Sequence, residues 1–328
     1  TTFVVNVTSA LRNDGQDNVL PIKVSNLGQN SRWYSGSGIY RHTWLLVTPS
    51  TTYIPVHGVH VTTPSVVLNK PGSATGAVVS IAINLNNEAA SNTVVDLLVD
   101  LVHPDGTSIV GNGSIRGLVV QPGVGAPPVS INITLDDDAA QGEKNNILLW
   151  SADSPSLYSA VVTLQESQAS LPSQSSEMIV AFGIRTLQFT ATKGFQINGI
   201  TTKLRGGCVH HANGPLGART YDRSERRRVE MLKKNGYNAI RTSHNPVSPA
   251  FLQACDELGM YVMDEAFDCW NIGKNPNDYS MYFHEWWRRD LEAMVKRDWN
   301  HPSIIMWSIG NEIPGRDTAN GAHLSHTL

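Results

Sequence analysis

The stretch that most constrains this chain lies at residues 303–314, Ser-Ile-Ile-Met-Trp-Ser-Ile-Gly-Asn-Glu-Ile-Pro. Its apolar run is too short for a helix and apolar on both faces, which is how a buried strand of a parallel sheet reads. Gly310 stops the run, and Asn311 and Glu312 follow at once. A carboxylate therefore stands at the C-terminal end of a buried strand, the end at which βα barrels place their chemistry. A solvated Glu after one strand would be unremarkable by itself. Three upstream segments repeat the arrangement.

From residue 186 onward, strand signals alternate with helix signals. Residues 203–209 read as a first strand. Asp222-Arg223-Ser224-Glu225 has the spacing of a capping box and opens a helix that ends at Asn235-Gly236. Residues 239–242 form a second strand, and Ser248-Pro249 opens a helix that Gly259 closes. Residues 261–264 form a third strand. A third helix starts near Phe283, carries Trp287, Leu291, Met294 and Val295 on one face, and cannot continue past Pro302. Four βα units with right-handed crossovers predict a parallel sheet, half of an eightfold barrel.

Upstream the grammar is that of antiparallel sheets. In residues 63–185, Val79, Ile81, Ile83 and Leu85 share one face, Val95, Leu97, Val99 and Leu101 another, and Ile131, Ile133 and Leu135 alternate with polar residues. His103-Pro104-Asp105-Gly106-Thr107 is a turn, 121–128 a Gly/Pro loop, and the spacing predicts an immunoglobulin-like sandwich. Residues 1–62 read as further strands (1–10, 18–24 and 43–47) around the aromatic pair Trp33-Tyr34. That is too little to close a sandwich, so this part needs preceding chain or a covering neighbour.

Composition removes several function classes. The chain has 328 residues, a net charge of −3 and no basic run longer than Arg226-Arg227-Arg228, which argues against nucleic acid as a partner. No apolar run approaches the roughly 20 residues of a membrane span, and the first residues lack the pattern of a signal peptide, so a soluble chain is expected, cytoplasmic or secreted. Cys208, Cys255 and Cys269 have no CxxC spacing and read as buried thiols rather than disulfides or zinc ligands. Asn-x-Ser/Thr sequons occur at Asn6, Asn112 and Asn132; they are compatible with secretion from a eukaryote, but chance also produces that number in a chain rich in Asn, Ser and Thr.

Aligned by their ends, the barrel strands deliver His210 and His211, then Arg241, His244 and Asn245, then Asp264, Glu265 and Asp268 with Trp270 near, then Asn311 and Glu312. Each has an ordinary explanation alone, as a satisfied core histidine, a helix cap or a structural ion pair. Their joint placement on one rim is hard to ascribe to packing. Planar hydrogen-bonding groups and an aromatic face suit a sugar, and cleavage of its acetal needs a protonated carboxyl at the leaving oxygen. Glu312, after an apolar strand expected to raise its pKa, fits the acid, with Asn311 donating to a sugar hydroxyl.

The motifs Ser31-Arg32-Trp33-Tyr34, Gly36-Ser37-Gly38-Ile39-Tyr40-Arg41, Trp150-Ser151-Ala152-Asp153-Ser154-Pro155-Ser156-Leu157-Tyr158, Phe182-Gly183-Ile184-Arg185 and Trp307-Ser308-Ile309-Gly310-Asn311-Glu312 together resemble glycoside hydrolase family 2 over essentially the whole chain. Arg205-Gly206-Gly207-Cys208-Val209-His210-His211 and Arg241-Thr242-Ser243-His244-Asn245-Pro246 most resemble its β-galactosidase branch. The resemblance implies a multidomain β plus α/β fold: a partial jelly-roll-type sugar-binding sandwich (1–62), the immunoglobulin-like sandwich (63–185) and the first half of a (β/α)8 TIM barrel (186–328). It implies a retaining exo-β-glycosidase acting on β-galactosides, with β-glucuronides or β-mannosides as alternative substrates and a non-catalytic carbohydrate-binding piece as the contrasting reading. Glu312 would be the acid/base, with Asn311, His210, His244, Arg241, Asp268 and Trp270 at the sugar and His211, Asn245, Asp264 and Glu265 in support. The family's nucleophile would lie on a later strand, beyond residue 328. No cofactor is implied. The magnesium ligands of some members would fall at Cys269 and Asn271, so no metal is expected. The partners expected are a β-linked sugar and either a second copy of the chain or the remainder of the enzyme.

Overall fold

The computed structural model describes residues 3–26, 28–31, 38–136, 147–167 and 175–328. Its strands are β1 (Thr52–Tyr53), β2 (Val59–Lys70), β3 (Ser73–Ile83), β4 (Asn86–Asn87), β5 (Thr93–Val102), β6 (Ile109–Val120), β7 (Val129–Asp136), β8 (Tyr158–Glu166) and β9 (Ser175–Phe182). Then come β10 (Leu187–Thr190), β11 (Gly194–Ile197), β12 (Ile200–Thr201) and β13 (Gly206–Val209). The last part alternates α1 (Asp222–Lys234), β14 (Ala239–Thr242), α2 (Pro249–Leu258), β15 (Tyr261–Glu265), α3 (Phe283–Asp298), β16 (Ile304–Ser308) and α4 (Ala319–Thr327).

The sandwich packs an antiparallel β2-β3-β7 sheet on an antiparallel β6-β5-β8-β9 sheet. Its core is made by the predicted alternation: Val79, Ile81 and Ile83 from β3, Val95 to Leu101 in steps of two from β5, and Ile131, Ile133 and Leu135 from β7 are all buried. The 103–107 turn forms as expected, with Gly106 N–H donating to His103 O at 2.9 Å. Asp105 stiffens it by accepting from the Thr107 and Ser108 amides.

The N-terminal part departs from expectation. Among the described residues before Thr52 the only regular element is a 3-10 turn, Thr8–Ala10, and the strands expected at 18–24 and 43–47 are absent. An extended segment becomes a strand only by pairing its backbone with a neighbour, and among the described residues none is paired with these; Val19 is 85% and Trp44 83% exposed. Arg32, Trp33, Tyr34, Gly36 and Ser37 of the quoted motifs lie outside the described residues. Tyr40, Arg41 and His42 are tied to the barrel instead. Arg41 donates to Pro246 O at 2.9 Å, Thr220 N–H to Tyr40 O at 3.1 Å, and His42 bonds Asp222 at 2.8 Å.

The four strands β13-β14-β15-β16 are parallel and in sequence order, as βα repeats require. Ser248 caps α2, accepting from Phe251 N–H at 3.2 Å, with Pro249 at its first position and Gly259 left-handed after its end. At α1 the expected capping box does not form. The cap residue is Tyr221, and Glu225 turns to Asn213, Arg228 and Ser248, so its carboxylate ties the helix to its surroundings instead of closing its own first turn. Strand β16 is buried at Ile304 and Ile305 but open at Met306 and Trp307, because it is an edge of the described sheet. The same edge position at β13 leaves Cys208 exposed, against expectation, while Cys255 and Cys269 are buried.

The sandwich fixes the N-terminal ends of the barrel strands. Trp150, fully buried, donates its indole N–H to Asp256 O at 2.9 Å, and Ala152 N–H donates to the Tyr261 hydroxyl at 3.2 Å. Arg185 donates to Ile304 O at 2.6 Å, and Lys233 to the carbonyls of Ala152 and Gly259. Here Gly259 has φ +75°, and a Cβ on it would overlap the Ala152 carbonyl. Gly236 has φ +82° with open space around it. Gly236→Ala is therefore expected to cost about 1–2 kcal/mol, the left-handed penalty alone. Gly259→Ala should cost clearly more, since the loop from the sandwich must also move. Thermal unfolding of both variants checks this; equal losses would show that the junction is soft.

Candidate active site at the C-terminal ends of the barrel strands

Glu265, the last residue of β15, is fully buried and accepts four side-chain hydrogen bonds. Arg241, from β14, donates Nε to Oε2 at 2.7 Å and Nη2 to Oε1 at 2.9 Å, the two-pronged geometry its planar guanidinium favours. His244 Nδ1 lies 2.7 Å from Oε1, and Ser308 Oγ, from β16, donates to Oε2 at 2.6 Å. A carboxylate can only accept, so His244 carries its proton on Nδ1 and keeps Nε2 for other partners. Every acceptor direction of Glu265 is used.

Arg241 also donates to Asn311 Oδ1 at 2.9 Å, and Asn311 Nδ2 donates to Asp268 Oδ1 at 2.9 Å. The Asn311 amide donates to Phe267 O at 2.9 Å. Arg241, His244, Glu265, Asp268 and Asn311 thus form one network across three strand ends, and Glu312 follows it, exposed, with φ +44°. The exposure differs from the apolar enclosure the sequence suggested, because β16, which leads into this turn, is an edge of the described sheet. His210 stands edge-on to His244 with ring centroids 5.1 Å apart, and its pKa is lowered by burial and by that second ring.

The remaining candidates lie apart from this network. His211 and Asn245 line a cavity of about 840 Å³, also walled by Tyr40, Phe267 and Trp286, which reaches Asp268. Burial, then Arg41 and Arg228, push the His211 ring down to about 4, so it is neutral at ordinary pH. Trp270 is 4% exposed, and its indole N–H donates to Ile309 O at 2.7 Å. It buttresses the turn before Glu312 and offers no open face to a ligand. Asp264, beside Glu265 in sequence, points to the other face of the sheet, as strand alternation demands.

Two models of one family match the chain: "Glycosyl hydrolases family 2" over residues 59–185 and "Glycosyl hydrolases family 2, TIM barrel domain" over residues 190–327. The chain belongs to glycosyl hydrolase family 2. It is 38% identical to "Beta-galactosidase BoGH2A" of Bacteroides ovatus over 95% of its own length and 34% of that protein's. To a "Putative beta-glucuronidase" of Formosa agariphila it is 33% identical, over 90% of this chain and 26% of that one. Among solved structures it resembles a glycosyl hydrolase family 2 member from Bacteroides cellulosilyticus, with TM-score 0.78 and 39% identity, over 93% of this chain and 38% of that one. A Bacteroides uniformis beta-glucuronidase gives TM-score 0.72 and 27% identity, over 92% and 35%. The chain spans about a third of the length of the curated protein it matches over 95% of its own residues. Within the family it falls in the β-galactosidase-like branch.

Several members of this network were missed in the sequence. Ser308 is the one polar residue inside an otherwise apolar strand, which was a usable signal. Thr242 links the two faces, accepting from Glu265 N–H at 2.8 Å and donating to Asp264 at 3.0 Å. Lys274 donates to Asp268 Oδ1 at 3.0 Å and to Asn311 O at 2.7 Å, from a loop with no periodicity to mark it. The residues do not fit a divalent cation at the positions suggested by the family. Cys269 is a buried thiol pushed up to about 12 by burial and by Asp278, and Asn271 brings no charge. Among the described residues no group of three His, Cys, Asp or Glu side chains is arranged to hold a metal.

Asp264 carries a testable consequence. It is fully buried, and burial, followed by the Asp298 carboxylate, pushes its pKa up to about 8. In the unfolded chain it ionises near 3.9. Between these values the folded state holds a proton that the unfolded state has released, so this residue's contribution to stability falls as pH rises from about 4 to 8. Asp264→Asn, which keeps the shape without the charge, should flatten the dependence of melting temperature on pH in that window and raise it at pH 8. An unchanged slope would show that Asp264 ionises in the fold as it does outside it.

Proposed function

We propose that the whole protein is a retaining exo-β-glycosidase acting on β-galactosides, with Glu312 as its general acid/base. The observation that carries the reading is the Arg241–Glu265–His244–Asn311–Asp268 network, which fixes the backbone immediately before an exposed carboxylate at a barrel strand end. In the first step the protonated Glu312 gives its proton to the glycosidic oxygen as the C–O bond breaks, while a second carboxylate bonds the anomeric carbon. In the second, Glu312 takes a proton from water as that water displaces the carboxylate. Asn311 serves the sugar 2-hydroxyl, and His210 and His244 its remaining hydroxyls.

The second carboxylate belongs outside these residues. Glu265 has its acceptor positions filled, Asp264 faces away, and Asp268 is ion-paired with Lys274. The galactoside assignment is supported by the relative named a beta-galactosidase; the relatives named beta-glucuronidases favour a glucuronide as the second reading.

Glu312→Gln in the whole protein should lose about 10²–10⁴-fold on a sugar with a poor leaving group and far less on an aryl glycoside with a good one, because good leaving groups need little protonation. Parallel assays on aryl β-galactoside and aryl β-glucuronide decide the sugar. Equal loss on both leaving groups would remove Glu312 as the acid, and faster turnover of the glucuronide would replace the sugar.

Because Cys269 and Asn271 are poor ligands for a hard cation, the rate should be unchanged after chelation and dialysis. A large loss that magnesium restores would contradict the proposed metal independence.

A further inference from the structure

Lys274 is outside the set of residues named for the reaction, yet its side chain is only 11% exposed and its ammonium is committed to the site. It reaches Asp268 Oδ1 and Asn311 O together, joining the loop after β15 to the turn after β16. With that contact, Asn311 is held at four points: its amide by Phe267, its carbonyl by Lys274, its side-chain oxygen by Arg241 and its side-chain nitrogen by Asp268. Glu312 is the next residue, at a positive φ that its neighbours must maintain.

The lysine is itself held. Asp278, 8% exposed, accepts from the amides of Lys274 at 2.6 Å, Asn275 at 2.8 Å and Ser280 at 3.0 Å, and from the Ser280 hydroxyl at 2.6 Å. The loop from Lys274 to Ser280 is thereby shaped around one carboxylate, and Lys274 leaves it at a fixed point. A flexible lysine stem normally loses much rotamer entropy on being pinned. Here the backbone anchor fixes where the stem starts, so only its own side-chain rotations remain to be frozen.

We propose that Lys274 is a positioning residue for the acid/base: through the Asn311 carbonyl and Asp268 it sets where Glu312 stands relative to the leaving oxygen. The proposal rests on the glycosidase reading. Its effect belongs to the acid step, because Lys274 bonds the turn that carries the acid. A carboxyl displaced by about 1 Å costs on the order of 10²-fold where proton transfer limits the rate.

The test uses the whole protein, with Lys274→Met, Lys274→Arg and Glu312→Gln assayed on galactosides with good and poor leaving groups. Lys274→Met should lose about 10²-fold in kcat on the poor leaving group and at most about 10-fold on the good one, with little change in KM. Lys274→Arg, which can still donate to two oxygens, should recover much of the loss. A loss equal on both substrates, or one confined to KM, would overturn the proposal. Competitive acetylation of the native protein gives a readout that needs neither activity nor a folded methionine variant. Lys274 should react much more slowly than the exposed Lys23 and Lys193, and faster in Asp268→Asn. Reactivity equal to theirs would overturn the proposal by itself. Absence of leaving-group bias in Glu312→Gln would instead remove Glu312 as the acid within the glycosidase reading, with the acetylation result still judging whether Lys274 is engaged.

Discussion

The rim of the barrel depends on one buried carboxylate. Taking Glu265 fully out of water costs several kcal/mol, and a partner removed from such a charge typically costs about 3–5 kcal/mol. The cost is offset only because Arg241, His244 and Ser308 converge on it from β14, the segment after β14, and β16. Satisfaction of this charge therefore sets the relative height of three strand ends. Asn311 joins through Arg241, so the turn bearing Glu312 inherits the same registration.

The opposite ends of the strands are set by the sandwich. Its 150–158 loop and Arg185 bond to Asp256, Tyr261 and Ile304, the residues that lead into or begin β15 and β16. Asn300 extends the junction, accepting from Val61 N–H at 2.9 Å and donating to Val59 O at 2.8 Å, and Trp299 stacks on His60 at 4.2 Å. Strands this short cannot fix their own tilt. Pinned at one end by another domain and at the other by a shared carboxylate, they present the site as a rigid unit without needing long hydrogen-bonded ladders.

Legibility in the sequence followed the range of the forces involved. The βα elements were readable because periodicity, Pro249, Gly259 and Pro302 act within a few residues of where they stand. The sandwich core was readable for the same reason. Of the site, the strand-end position of Arg241, Glu265, Asn311 and Glu312 could be read, but not the direct bonds among their side chains, and Lys274 and Asp278 enter from a loop without periodicity. Trp270 shows the limit of residue type as a guide: an aromatic near a site suggests a sugar platform, whereas a bond from its indole N–H to Ile309 O makes it a strut. The strands expected at 18–24 and 43–47 do not form because alternation states which face is apolar and says nothing of whether a partner is present to pair.

Alternation also explains why counting carboxylates at the rim overstates what chemistry can use. Asp264 and Glu265 are adjacent, so a strand must send them to opposite faces. One joins Thr242 and Asp298 behind the sheet, and the other enters the barrel side and is saturated there. Asp268 reaches the rim only after the strand has ended, and Lys274 and Asn311 engage it. A proton donor for a leaving group needs an oxygen that the substrate can reach. Of the carboxylates that the third and fourth barrel strands bring to this region, Glu312 alone combines exposure with a backbone held by the network. The role proposed for it thus rests as much on what the other three are doing as on its own place at a strand end.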